Sequence, residues 1–192
     1  MLLLARLSAI SRNHWHRAMH LHIHVHLRIR NDRMILQIER VDSVSKQRFE
    51  EVVAAFEMNV PAADFVKLAQ LGASRAAAQE IEEAVRSMVG DLEFVRFAKL
   101  DQGPLVSLLG KPKKMTVYLI GNPVLANRMY EQNPAVGLYA PLRVSIYDDY
   151  NGTTHFTYDR PSTLLAQFDD EKIRAAAEML DDKLKTLASR LA

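Results

Sequence analysis

The chain has no cysteine in 192 residues, which excludes thiol catalysis, thiolate-ligated zinc and a disulfide framework. No apolar run approaches the roughly 18 residues of a membrane span, so no membrane partner is expected. Acidic residues are nearly missing from the first 33 positions, where six arginines stand against Asp32 alone. The formal charge of +2 therefore belongs to this leader, and from Met34 onward the balance is −3. A net-negative domain lacks the basic footprint that nucleic-acid binding requires, so no nucleic-acid partner is expected either. What is present is ordinary: 48% hydrophobic and 25% charged residues. A chain of this size buries roughly 70% of its unfolded surface and needs no metal or disulfide to hold a core. One cytoplasmic soluble domain is the expectation.

Six of the seven histidines also lie in the leader. Residues 20–27 alternate histidine with Leu21, Ile23, Val25 and Leu27. On an extended strand His20, His22, His24 and His26 would share one face. Imidazoles two residues apart chelate zinc, copper or nickel, so metal handling is one reading. Against it, no carboxylate before Asp32 is there to orient a ligating ring. The Arg-rich start also suits a targeting segment, although Arg6 interrupts its apolar opening early. The change of composition at Met34 suits a leader over residues 1–33 that is disordered or not translated, followed by a domain over 34–192.

From Met34 the pattern reads strand, three helices, two strands, helix, hairpin, helix. A first strand is expected over Ile35–Val41. The spacing of Phe49, Val52, Val53 and Phe56 gives a helix with Ser43 or Ser45 as its cap. A short helical turn follows over Ala63–Gln70. A longer helix is expected to open at Gly72–Ser74, to bury Ile81, Ala84, Val85 and Met88, and to stop at Gly90. Leu92–Ala98 and Met115–Ile120 read as strands. Asn151-Gly152 favours a two-residue hairpin turn that sets Asp148 opposite His155 and Tyr147 opposite Phe156. The last helix carries a seam of Ile173, Ala177, Leu180, Leu184, Leu187 and Leu191. Docking on its own sheet is the leading reading of that seam, with a subunit interface as the alternative.

Signposts in the C-terminal half carry a family likeness. Tyr118 to Pro123, then Asn133 to Val144, the hairpin, and Tyr158 to Ser162 together resemble the domain-of-unknown-function 302 family. The likeness covers about Phe49 to Leu191. It implies an α+β fold, a curved antiparallel sheet with helices packed on one face and a long C-terminal helix, similar to TATA-box-binding-protein-like domains. It also implies a homodimer, and it brings no established activity. Many members carry cysteine where this chain has Gly121, and Arg160 stands between Asp159 and Pro161, so no thiol-dependent role is carried over.

Candidate chemistry is sparse. Asn122-Pro123 reads as a helix cap whose free N–H groups suit a carboxylate or phosphate. With Tyr139, Arg143 and Asp159 it makes up a candidate ligand site, for a small and possibly anionic molecule or for a partner. Lys113 and Lys114 are further candidate counter-charges. His155 with Asp148 is the acid/base pair expected from the hairpin, and an enzyme using it is the alternative function. Gly110-Lys111-Pro112 is not a phosphate-binding loop, because Leu105 and Pro112 occupy the positions that need glycine and serine or threonine. The sequence names no cofactor; haem belongs among the candidates to screen.

Overall fold

The fold is that of a computed structural model, which describes residues 34–111 and 113–192. The leader, with its candidate ligands His20, His22, His24 and His26, lies outside the described residues. Alternating side chains build the sheet. In Met115–Gly121, Leu142–Asp148 and Thr154–Asp159, every second residue is buried, including Tyr118, Ile120, Val144, Ile146 and Phe156. These are β3, β4 and β5. With β1 (Arg40–Ser45) and β2 (Val95–Asp101) they form one antiparallel sheet of order β1-β5-β4-β3-β2.

Two helices cover the apolar side of that sheet. In α1 (Phe49–Asn59), Val52 and Phe56 are fully buried, and the Phe56 ring stacks on Tyr118 with centroids 4.4 Å apart. The other is α7 (Glu171–Leu191), whose whole seam, from Ile173 through Leu191, lies in the same core. The seam docks on its own sheet. Burial at about 1.5–3 kcal/mol per large aliphatic side chain explains why a helix with so polar an outer face is held. Asp170 starts it, its carboxylate accepting from the Lys172 and Ile173 N–H groups. The remaining helices are α2 (Phe65–Ser74), α3 (Ala78–Met88), α4 (Gly103–Ser107), α5 (Pro123–Tyr130) and α6 (Pro161–Leu165). The architecture is α+β with a long C-terminal helix, as the sequence implies.

Several boundaries differ from expectation, each for a local reason. The first strand begins at Arg40, because its partner β5 ends at Asp159, opposite Arg40. Ser45 is a strand residue and not a helix cap: its hydroxyl donates to the Leu191 carbonyl at 2.6 Å, tying β1 to the end of α7. Instead, the Glu51 carboxylate accepts from the Arg48 N–H ahead of α1. Gly72–Ser74 ends α2 and does not open α3; the break is Arg75, in the left-handed region at φ 52°. Ala84 and Val85 are buried as expected, but Ile81 is 37% exposed, because α3 lies at the margin of the core.

The hairpin is displaced by one residue. The Asp149 N–H donates to the Thr153 carbonyl, leaving Tyr150, Asn151 and Gly152 as a three-residue loop with Gly152 at φ 81°. The Asp149 carboxylate accepts from the N–H groups of Asn151 and Thr153 at 2.8 and 2.9 Å. That local side-chain turn prevails over the two-residue preference of Asn-Gly. As a result Asp148 lies opposite Thr154, and Tyr147 opposite His155.

Candidate functional site

The end of β3, the helix α5 and the bend at Tyr139–Pro141 border a cavity of about 510 Å³. Pro123, Leu125 and Ala126 of α5 form one wall, Phe97 and Gly121 another. Met129, Leu142, Leu165 and Leu180, all buried, form its deep side, and Leu68 of α2 reaches over it. No lining residue is charged.

Its polar groups are already engaged. The Asn122 side-chain oxygen accepts from the Val124 and Leu125 N–H groups at 2.9 and 3.1 Å, while its amide donates to the Glu93 carbonyl. Pro123 fixes the first helical φ, so the Asn-Pro pair is a complete cap. The Tyr130 hydroxyl donates to the Ala140 carbonyl, and the Tyr139 hydroxyl to Gln167 at 3.3 Å. The volume falls within the roughly 300–1,000 Å³ usual for small-molecule sites. Such a chamber suits an uncharged, largely apolar guest.

The five candidate ligand residues divide. Asn122, Pro123 and Tyr139 line the cavity. Arg143 and Asp159 do not; they belong to a ladder on the face of the sheet turned away from α1 and α7. There Asp159 accepts from Arg40 Nε at 3.1 Å and lies 4.0 Å from the Arg143 guanidinium. Lys114 is likewise committed elsewhere, to Glu50 at 2.8 Å. The counter-charge expected beside Asn122 is therefore not supplied by Arg143 or Lys114. Nor does Asp159 cap α6. Asp181 of α7 does, its carboxylate accepting from the Ser162 N–H and from Arg160.

The expected pair of His155 with Asp148 is corrected too. Asp148 accepts from the Thr154 hydroxyl at 2.9 Å. His155 meets Asp42 of β1 through Nδ1 at 2.9 Å, and its ring stacks on Tyr147 with centroids 4.9 Å apart. Its Nε2 is buried, 3.7 Å from Asp149 and without a hydrogen-bond partner among the described residues. An imidazole closed off in this way links β5 to β1 through Asp42 and stacks on Tyr147 of β4, and its one unbonded nitrogen is buried away from any substrate. Among the described residues no three His, Asp or Glu side chains cluster to hold a metal.

The polar network that the sequence reading missed surrounds Glu57. Its Oε1 accepts from the Tyr118 hydroxyl at 2.9 Å and pairs with Arg96 and Lys99, both at 2.8 Å. Burial raises the Glu57 carboxyl, but bonds from Lys99, Arg96 and Tyr118 outweigh it and hold the pKa at about 2. Tyr118 is pushed well up by its own burial and by the Glu57 carboxylate.

The family model for the domain of unknown function DUF302 matches residues 72–191. This chain belongs to the DUF302 family. The crystal structure of an uncharacterized conserved DUF302 protein from Bacillus stearothermophilus is similar in fold, with a TM-score of 0.56 at 15% identity. The match covers 80% of this chain and 98% of that one. No curated protein matches the chain. The family segment contains every strand but β1 and every cavity residue but Leu68. In this DUF302 domain Gly121 is a wall position: a Cβ there would lie 3.4 Å from the Phe97 ring and 3.8 Å from Pro141. Phe97, Leu165 and Leu180 complete the walls without having been candidates. Their apolar character gives no sign that they face a void.

Proposed function

We propose that this DUF302 domain is a binding module for one small, uncharged, largely apolar molecule held between α5, the end of β3 and the Tyr139–Pro141 bend. The observation that carries the reading is a cavity of about 510 Å³ whose lining has no charged side chain and whose polar side chains, Asn122, Asn127, Tyr130 and Tyr139, each already make a hydrogen bond. Desolvating an apolar guest there costs the protein no polar partner, and removal of the guest's surface from water drives binding at about 25 cal/mol per Å². The neutral fluorophore N-phenyl-1-naphthylamine tests this. It is expected to bind one per chain with a rise in emission, and Ala126→Trp, which fills the cavity from α5, is expected to weaken it at least about tenfold. Binding that is absent, or that Ala126→Trp leaves unchanged, contradicts the reading.

A cytoplasmic homodimer belongs to the same proposal. It is supported by the apolar strip of Leu100, Val117 and Leu119 on the sheet face opposite α1 and α7, where Leu100 is 49% exposed. Sedimentation equilibrium decides it, since a mass of one chain removes the dimer. No helix among the described residues is long and apolar enough to cross a membrane.

A further inference from the structure

A second cleft, of about 170 Å³, lies on the other side of α5, between α3 and α7. Its floor is apolar: Val85, Phe94, Leu125 and Leu180. Its rim is charged in an unusual way. Seven arginines among the described residues each meet a carboxylate within 4.0 Å. The other three described arginines, Arg75, Arg86 and Arg128, have no such partner among the described residues, and Arg86 of α3 and Arg128 of α5 both line this cleft.

The remaining rim charges are Lys183, Glu93 and Glu82. Lys183 and Glu93 neutralise each other at 2.6 Å. The Glu93 carboxyl is held below its ordinary range first by that bond and Lys183's charge, and further by the charges of Arg128 and Arg86. The cleft as a whole thus has three cations against two carboxylates, a net +1. The α5 N-terminus adds nothing, because Asn122 already takes its Val124 and Leu125 N–H groups. Guanidinium forks match the two oxygens of a carboxylate. The whole cleft, at about 170 Å³, is close in volume to a cavity of about 150 Å³ that takes up benzene.

We propose that this cleft binds a small organic carboxylate carrying one aromatic ring or branched chain, with the carboxylate on Arg86 and Arg128 and the apolar body on Val85, Phe94 and Leu125. Charge selects the ligand and the floor sets its size. This cleft opens on the opposite side of α5 from the larger cavity and shares Asn122, Leu125 and Leu180 with it, but Arg86 and Arg128 line this cleft alone.

Calorimetric titration of the full chain with benzoate, benzamide and inorganic phosphate tests the assignment. Benzoate is expected to bind one per chain, at least about tenfold more tightly than neutral benzamide or phosphate. The double variant Arg86→Gln/Arg128→Gln is expected to lose that preference while still binding N-phenyl-1-naphthylamine as the unaltered chain does. Glu82→Gln, which raises the net charge of the rim, is expected to tighten benzoate and leave benzamide unchanged. The proposal is overturned by no saturation with benzoate up to about 20 mM, by equal affinity for benzoate and benzamide, by phosphate binding as tightly as benzoate, or by a double variant that binds benzoate normally.

Discussion

At the scale of single residues, Glu57 does most to join the helices to the sheet. From α1 it collects Tyr118 of β3 and Arg96 and Lys99 of β2. Its folded-state pKa of about 2 lies below the ordinary 4.5. The stability it contributes is therefore complete above the unfolded value and is lost as pH falls from about 4.5 toward about 2. Glu57→Gln is expected to cost about 1–3 kcal/mol at neutral pH, because two cations lose their anionic partner and the buried phenol keeps only a neutral acceptor. It is also expected to flatten the decline of stability across that acid window. Urea unfolding of both chains at a series of pH values measures this, and an unaltered acid slope contradicts it. Nothing near Glu57 in the sequence announces these contacts: Arg96 is 39 positions away and Tyr118 61. The Asn122 cap, by contrast, was legible, because the bonds its side-chain oxygen accepts lie within the next three residues.

At the scale of elements, legibility follows the same division between local and distant chemistry. The seam of α7 and the alternation of β3, β4 and β5 are periodic signals, and each element formed where its period placed it. The hairpin was legible as a hairpin but not in register. Asn-Gly favours two residues in the loop, and Asp149, one step earlier, closes three by accepting from both Asn151 and Thr153. That single step moved His155 from Asp148 to Asp42 and dissolved the expected acid/base pair. Gly152 at φ 81° is the residue on which the observed loop depends. Gly152→Ala is expected to destabilise the domain by about 1–2 kcal/mol, since a Cβ in the left-handed region is costly although there is open space around it. Thermal unfolding reads the effect; an unchanged midpoint would contradict a left-handed backbone at Gly152. The break between α2 and α3 was not legible for a related reason. Arg75 takes a conformation usually left to glycine, while Gly72 three residues earlier stays helical.

At the scale of the whole molecule, the family segment over residues 72–191 lacks β1 and α1, yet the core cannot be closed without them. Val52 and Phe56 pack on Tyr118 and Phe156, and β1 completes the sheet beside β5. The working unit is thus longer than the family segment. Three of the five candidate ligand residues meet at the large cavity because the end of β3, α5 and the Tyr139 bend converge there. Arg143 and Asp159 are separated from them by strand parity, which sequence spacing gives only once register is known. The measurement that tests the cavity as the binding site most directly is methyl NMR of the full chain during titration with N-phenyl-1-naphthylamine. Saturable shifts are predicted at Leu68, Leu125, Ala126 and Leu142, with Leu184 and Leu187 deep in the core unmoved. Shifts confined to the exposed Leu105, Leu108 and Leu109, or no saturable shift at all, would contradict the account.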